Sequence, residues 1–203
     1  FDLVRNDGLL VGFLVASLLS VRCGAVRAGG LLLTAAFLTK HTAALYGLCS
    51  LWWLNHHRGR SEAVQYVRWS VLPALAATVW LTIASDGLFL TYVLDVPSSH
   101  PFVAERFFWT APREMVTALP WLSGATLLAV FLLGRSSNSG TRFWLVHGLM
   151  AVFLSALMRG HHGGYMNVLM PGLWIAALWG TLAIKGVRHR WSSPGVRVLT
   201  SAL

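Results

Sequence analysis

Charged side chains are scarce in this 203-residue chain and fall between long apolar runs. Only 11% of the residues are charged and 56% are hydrophobic, whereas ordinary soluble domains carry roughly 25% charged residues. A chain of this composition has too few charges to cover a water-exposed surface, and lipid as the solvent removes that difficulty. The sequence therefore predicts an integral membrane protein.

Apolar runs and short polar segments alternate along the chain. The runs cover residues 8–21, 29–38, 43–54, 69–94, 115–134, 143–158 and 165–184. Only Asp86 interrupts the fourth run, and we expect it near a helix end or kink beside Gly87. The pattern predicts an all-α fold: a polytopic transmembrane helix bundle of about seven spans, forming a single domain over residues 1–203.

The segment from Ala28 to Leu54 allows two arrangements. As one helix it is about 40 Å long and places Lys40 at its middle, where a charge in the bilayer is costly. As a short helical hairpin it places the Lys40 turn below the membrane surface, reachable from one side. We favour the hairpin because it gathers the unusual polar residues on one face, and the positive-inside rule makes that face the non-cytoplasmic one.

The overall charge and the cysteines exclude some classes of function. The net charge is +9, but Lys and Arg punctuate apolar runs and form no stripe, so we expect no nucleic-acid partner. Cys23 and Cys49 do not make a disulfide framework.

The chain opens on the polar segment Phe1–Asp7 with no signal peptide, and we expect it to be part of a longer protein that supplies earlier spans.

Lys40 is the clearest candidate for chemistry, with His41 beside it. An ammonium between two apolar arms must pair with another group or face water. It could bind an anionic group such as a lipid-linked phosphate, or it could snorkel to the interface without a functional role. Asp7 could cap the first helix, orient a sugar hydroxyl or hold Arg5.

The polar, aromatic segment 95–113 is predicted to be a loop. It suits either a loop lying on the membrane surface or a lid over a lipid substrate. Within it, Glu105 is a possible general base and Arg106 a possible phosphate ligand, although one carboxylate without a partner is not a catalytic constellation.

The turn that enters the last apolar run is the remaining candidate. His161 and His162 are adjacent and point in different directions on a helix, so we expect no metal site there. Tyr165 and Asn167 could donate hydrogen bonds to a sugar or pyrophosphate, or the segment could be a plain helix-entry turn.

Four stretches resemble the polytopic glycosyltransferases of the GT-C type, which include the protein O-mannosyltransferases and the aminoarabinose transferase of lipid A. They are Val4–Leu10, Ala28–Ala43, Asp86–Pro97 followed by His100–Pro101, and Gly164–Pro171. The second, with Thr39-Lys40-His41-Thr42, is the most specific. In the fourth, Val168 replaces an aromatic residue that is usual in the family.

The resemblance implies a transferase that uses a polyprenyl-phosphate-linked sugar as donor. It implies that Lys40, Arg5 and Arg106 support the donor phosphate, and that Asp7, Tyr165 and Asn167 line the sugar or acceptor cavity. The acidic catalytic motif of the family lies in a first external loop that this sequence lacks. Metal dependence cannot be read from these stretches.

The sequence thus predicts a glycosyltransferase in a bacterial cytoplasmic membrane with its active face outward. Its expected partners are the bilayer, the lipid-linked donor and a lipid, glycan or protein acceptor. Two other classes stay open: a transporter or flippase for a lipid-linked or anionic substrate, and a non-catalytic membrane subunit.

Overall fold

A computed structural model describes residues 7–134, 138–162 and 164–191. Within these ranges the secondary structure is helical and no strand occurs, which confirms the all-α prediction. The ten α-helices of the described ranges are α1 (Asp7–Arg22), α2 (Val26–Thr39), α3 (Ala43–His57), α4 (Arg60–Ala84), α5 (Leu88–Leu90), α6 (Val96–Ser98), α7 (Ala111–Ala118), α8 (Pro120–Gly134), α9 (Ser139–Gly160) and α10 (Met170–Trp191).

Helix α2 packs between α1 and α4 through two adjacent glycines. A Cβ added at Gly29 would lie 2.7 Å from a methyl group of Val21 in α1. A Cβ at Gly30 would lie 2.9 Å from the carbonyl carbon of Trp69 in α4. The hydroxyl of Ser17 donates a hydrogen bond of 2.7 Å to the Gly29 carbonyl. Glycine is therefore required here because helix backbones approach closely on both sides of α2.

The predicted helix break at Lys40 is present. Helix α2 ends at Thr39, Lys40 has an extended backbone, and α3 begins at Ala43. Leu33 of α2 touches the position of Gly47 in α3, and these residues lie equally far from Lys40 along the chain. The two helices therefore fold back on each other as a hairpin, with Lys40 at the bend.

The chain turns again after α4. Asp86 and Gly87 both have positive φ angles, 50° and 87°. Asp and Gly are the residues that tolerate this left-handed conformation, so the pair ends α4. The expected helix end at Asp86 is thus confirmed.

The predicted loop over residues 95–113 is wrong for most of its length. A π-helical turn (Thr91–Asp95) continues into α6, and a second π-helical turn (Arg106–Thr110) leads into α7. Pro97 and Pro112 occupy the first turns of α6 and α7. Each proline lies inside a continuous helical segment, directly after a π-helical turn. The altered hydrogen bonding of that turn accommodates the N–H that proline lacks.

The apolar run 115–134 is also divided. Leu119 leaves the helical conformation, with φ −139° and ψ 64°, and α8 starts at Pro120. Proline disfavours a helical conformation of the residue before it, which explains the break.

Two helices of the described part, Arg60–Ala84 and Ser139–Gly160, are long and apolar enough to cross a membrane. Other apolar helices, such as Val26–Thr39, are shorter. The count of about seven spans therefore remains a prediction.

Candidate functional site

Three polar side chains from distant parts of the chain meet at one end of the bundle. Nζ of Lys40 donates a hydrogen bond of 2.7 Å to Oδ1 of Asp7. Nδ2 of Asn167 donates to the other carboxylate oxygen, Oδ2. We call Asp7, Lys40 and Asn167 the polar junction; it joins the start of α1, the bend of the hairpin and the turn before α10.

The charges of the polar junction are largely shielded from solvent. The Asp7 side chain is 6% exposed and the Lys40 side chain 22%. An ammonium has three N–H donors, and Asp7 is the only hydrogen-bond partner of Lys40 Nζ among the described residues. Two donors of a half-buried cation are therefore free to bind an anionic oxygen.

A small void adjoins the polar junction. Asp7, Lys40, Thr42, Tyr46 and Ser155 contribute to its wall. Its volume is close to the minimum that holds one water molecule. A single polar atom of a ligand therefore fits beside the Lys40 ammonium.

An apolar groove is lined by residues of α2, α3 and α4. Its volume is about 380 Å³. Its lining residues include Phe37 and Ala44, which lie within four positions of Lys40 in the sequence, and Thr78 of α4. The size and the apolar lining of the groove suit a hydrocarbon chain.

A second ionic cluster holds α7 against the end of α9. Arg159 donates from Nε and Nη2 to the two carboxylate oxygens of Glu114, at 2.7 and 2.8 Å. It also donates from Nη1 to the Gly164 carbonyl at 2.8 Å. The Arg159 hydrogen bonds lower the pKa of Glu114. This cluster fixes the chain just before Asn167.

Residues 101–103 lie along the turn after α9. The Val103 amide donates to the Gly160 carbonyl at 2.8 Å, and the His162 amide donates to the Pro101 carbonyl at 3.1 Å. The rings of Phe102 and His161 meet edge to face, 5.6 Å apart. This pairing draws the 101–106 segment to the same end of the bundle as the polar junction.

The structure brings together some of the candidate residues and leaves others apart. Arg106 donates a 3.1 Å hydrogen bond to the His162 carbonyl, so its guanidinium binds backbone. Glu105 is exposed, and no hydrogen bond or ion pair joins its carboxylate to any described residue. Tyr165 is exposed. Arg5 lies outside the described residues.

His41 lies beside Lys40 at the hairpin bend, and its side chain is partly exposed to solvent. Partial burial and the neighbouring Lys40 ammonium lower the pKa of His41. Both effects favour the neutral imidazole, and Lys40 is the cation of this bend.

Sequence reasoning missed Glu114, Arg159 and Tyr46. Glu114 and Arg159 are 45 positions apart, and only their places at the edges of apolar runs marked them. Tyr46 lay within an apolar run with no pattern to set it apart.

The described residues contain no group of three or more His, Cys, Asp or Glu side chains that could hold a metal ion. No protein-family model, curated protein or solved structure matches the chain. The function must therefore be argued from the site itself.

Proposed function

We propose that this chain belongs to a membrane glycosyltransferase that moves a sugar from a polyprenyl-phosphate donor to an acceptor on the non-cytoplasmic face. The observation that carries the proposal is Lys40: a half-buried cation at a helix break, held by Asp7, in a hairpin whose two helices also line an apolar groove. That combination suits a ligand with a long hydrocarbon chain and an anionic head group.

Exposed apolar side chains support a membrane location. Helix α4 presents Leu72, Val79, Trp80 and Ile83 outward, and Ile83 is 73% exposed. An apolar face of this extent is unstable in water and is covered by lipid in a membrane protein. We propose seven spans, namely α1, α2, α3, α4, α8, α9 and α10.

Contacts at both ends of the bundle fit this alternating topology. Asp7, Lys40 and Asn167 meet at one end. At the other end, Arg58 donates to the Arg22 carbonyl, and the Trp53 indole donates to the Ser139 carbonyl. With seven spans, the polar junction lies on the side that carries fewer Lys and Arg residues, which is the non-cytoplasmic side by the positive-inside rule.

The proposed reaction breaks the bond between the anomeric carbon and the donor phosphate. The acceptor hydroxyl oxygen attacks that carbon, its proton passes to a general base, and the polyprenyl phosphate leaves with the bonding electron pair. Lys40 stabilises the negative charge that develops on the leaving phosphate. Both oxygens of Asp7 are engaged, so we assign Asp7 to holding Lys40 and assign the general base to a carboxylate outside the polar junction.

The test removes the Lys40 cation without leaving a buried charge unpaired. Lys40→Ala alone strands Asp7, which destabilises a buried ion pair by about 3–5 kcal/mol. The double variant Asp7→Asn, Lys40→Met removes both charges together. We expect it to fold in membrane vesicles and to lose release of polyprenyl phosphate from a panel of polyprenyl-phosphate-linked sugars.

Arg60→Gln is the control, because Arg60 is an exposed cation at the start of α4, at the opposite end of the bundle from the polar junction; it should retain full turnover. Normal release by the folded double variant contradicts the proposal. Movement of the intact donor across the vesicle membrane without sugar transfer also contradicts it, and favours a flippase.

A further inference from the structure

Arg22, in the last turn of α1, is a cation that the described part of the protein leaves without an anionic partner. Its guanidinium carbon lies 6.0 Å from the centroid of the Trp53 ring in α3, and a Cβ added at Gly140 of α9 would overlap the guanidinium. No hydrogen bond or ion pair joins that guanidinium to a described residue. Arg22 is partly buried, and the five N–H donors of a guanidinium are costly to leave unpaired in such a position. Its open side therefore suits an anion.

Two more arginines lie beside the turn that joins α1 to α2. Nη2 of Arg58 donates a hydrogen bond of 3.4 Å to the Arg22 carbonyl, and its Nη1 would lie 3.5 Å from a Cβ added at Gly24. Because the Arg58 guanidinium contacts the Arg22 backbone, the two cations lie within one Debye length, about 10 Å, of each other. Arg27, at the start of α2, donates from Nε to the Gln65 side chain at 3.3 Å and adds a third positive charge.

No carboxylate among the described residues balances these three arginines. Glu62 is the one Asp or Glu between positions 22 and 68, and it forms no ion pair with a described residue. Positive charges that are gathered without a counter-charge repel one another and create a strongly positive local potential. A bound anion would remove that repulsion.

Exposed apolar side chains lie next to the arginines. Leu19, one turn before Arg22 on α1, is exposed, and so is Trp52, the neighbour of Trp53 on α3. Such a surface suits acyl chains, because covering it removes apolar area from water. In the proposed topology this end of the bundle lies on the cytoplasmic side, where anionic phospholipids attract Lys and Arg side chains.

We infer that Arg22 binds the phosphate of an anionic phospholipid in the cytoplasmic leaflet, and that Arg58 and Arg27 strengthen the positive potential around it. A guanidinium matches this ligand because its N–H groups can bind two phosphate oxygens at once. The inference adds a second ligand site, at the opposite end of the bundle from the polar junction. It rests on the proposed membrane location and topology, but not on the transfer reaction.

The experiment follows the melting temperature of the protein in neutral maltoside micelles as dioctanoyl phosphatidylglycerol is added. A ligand that binds the folded state raises the melting temperature, and we expect phosphatidylglycerol to do so. Dioctanoyl phosphatidylcholine has no net charge and inorganic phosphate has no acyl chain, so both should leave the melting temperature nearly unchanged. Arg22→Gln should weaken the apparent affinity for phosphatidylglycerol about tenfold or more, as for a lost hydrogen bond from a charged group.

Two further variants separate a specific site from a general effect of charge. Arg58 is exposed, so Arg58→Gln should fold and should bind phosphatidylglycerol more weakly than the wild-type protein. Arg113→Gln removes one exposed positive charge from α7, at the same end as the polar junction. Its affinity for phosphatidylglycerol should equal that of the wild-type protein.

Four results overturn the inference. Arg22→Gln, or Arg58→Gln where Arg22→Gln does not fold, may keep the wild-type affinity; Arg113→Gln may lose as much affinity as Arg22→Gln; and phosphatidylcholine may stabilise as well as phosphatidylglycerol. The fourth is equal stabilisation by inorganic phosphate, which would assign the site to a soluble anion. None of these results bears on sugar transfer, which the double variant Asp7→Asn, Lys40→Met tests separately.

Discussion

The guanidinium of Arg159 donates two hydrogen bonds, of 2.7 and 2.8 Å, to the two carboxylate oxygens of Glu114. Such bidentate pairs are stronger than single hydrogen bonds and fix the relative orientation of the two groups. Because the same guanidinium binds the Gly164 carbonyl, this pair ties α7 to the turn that presents Asn167 to Asp7. A contact outside the polar junction therefore helps to determine its geometry.

The Glu114 pair predicts a pH-dependent stability. The pKa of Glu114 is lowered in the folded protein, so its stabilisation is present above the unfolded pKa of about 4.3 and is lost as the pH falls through the folded value. Glu114→Gln should lower the melting temperature near pH 7, by the loss of about 1–3 kcal/mol, and the difference from wild type should shrink below about pH 4.

Thermal unfolding in detergent, followed by tryptophan fluorescence at several pH values, measures this effect. Glu105→Gln is the matched control, since the exposed Glu105 carboxylate has no partner among the described residues. A difference between Glu114→Gln and wild type that does not change with pH would contradict the prediction.

The close contact of α2 with α4 predicts that one methyl group added at Gly30 lowers the stability of the fold. In Gly30→Ala the new Cβ would lie 2.9 Å from the Trp69 carbonyl carbon and 3.0 Å from the Tyr66 carbonyl oxygen. Backbone cannot move aside as a side chain can, so overpacking should cost about 1–3 kcal/mol. Gly12→Ala in α1 meets nothing within 4 Å and should stabilise through helix propensity. Equal melting temperatures for the two variants would disprove this packing.

The apolar groove predicts that large substitutions at two nearby positions of α4 affect the binding of a polyprenyl phosphate differently. Ala74 lines the groove, whereas Ala76 is exposed and lies outside its lining. Ala74→Trp should fill the groove and weaken binding of a polyprenyl phosphate at least tenfold, while Ala76→Trp should bind normally. Tight binding by a folded Ala74→Trp protein would show that the hydrocarbon chain lies elsewhere.

The buried contact between α3 and α9 predicts a measurable coupling energy. A backbone carbonyl can only accept, so the His147 nitrogen that faces the Phe143 carbonyl carries the proton and the other accepts from the Ser50 hydroxyl. In Ser50→Ala that nitrogen becomes a buried acceptor without a partner. A double-mutant cycle of Ser50→Ala with His147→Phe should give about 0.5–3 kcal/mol of coupling. Strict additivity of the two melting shifts would contradict this bond.

The sequence predicted most helices because their signals are local. The break at Lys40 followed from the energetic penalty of a charge inside a helix span, and the end of α4 followed from Asp86 and Gly87. Segment 95–113 was misread because its prolines and polar residues resemble a loop. Only the structure shows that Pro97 and Pro112 lie inside helical segments, each directly after a π-helical turn.

The sequence by itself determined where most of the long helices run and favoured a bend at Lys40, because hydropathy and backbone preference act along the chain. Only the tertiary structure decided that Asp7 binds Lys40 and Asn167 and that Glu114 binds Arg159. The physical reason is that these helices are apolar on most faces. The hydropathy pattern of such a helix does not specify its rotation about its own axis or its offset along that axis. Packing against neighbouring helices sets both.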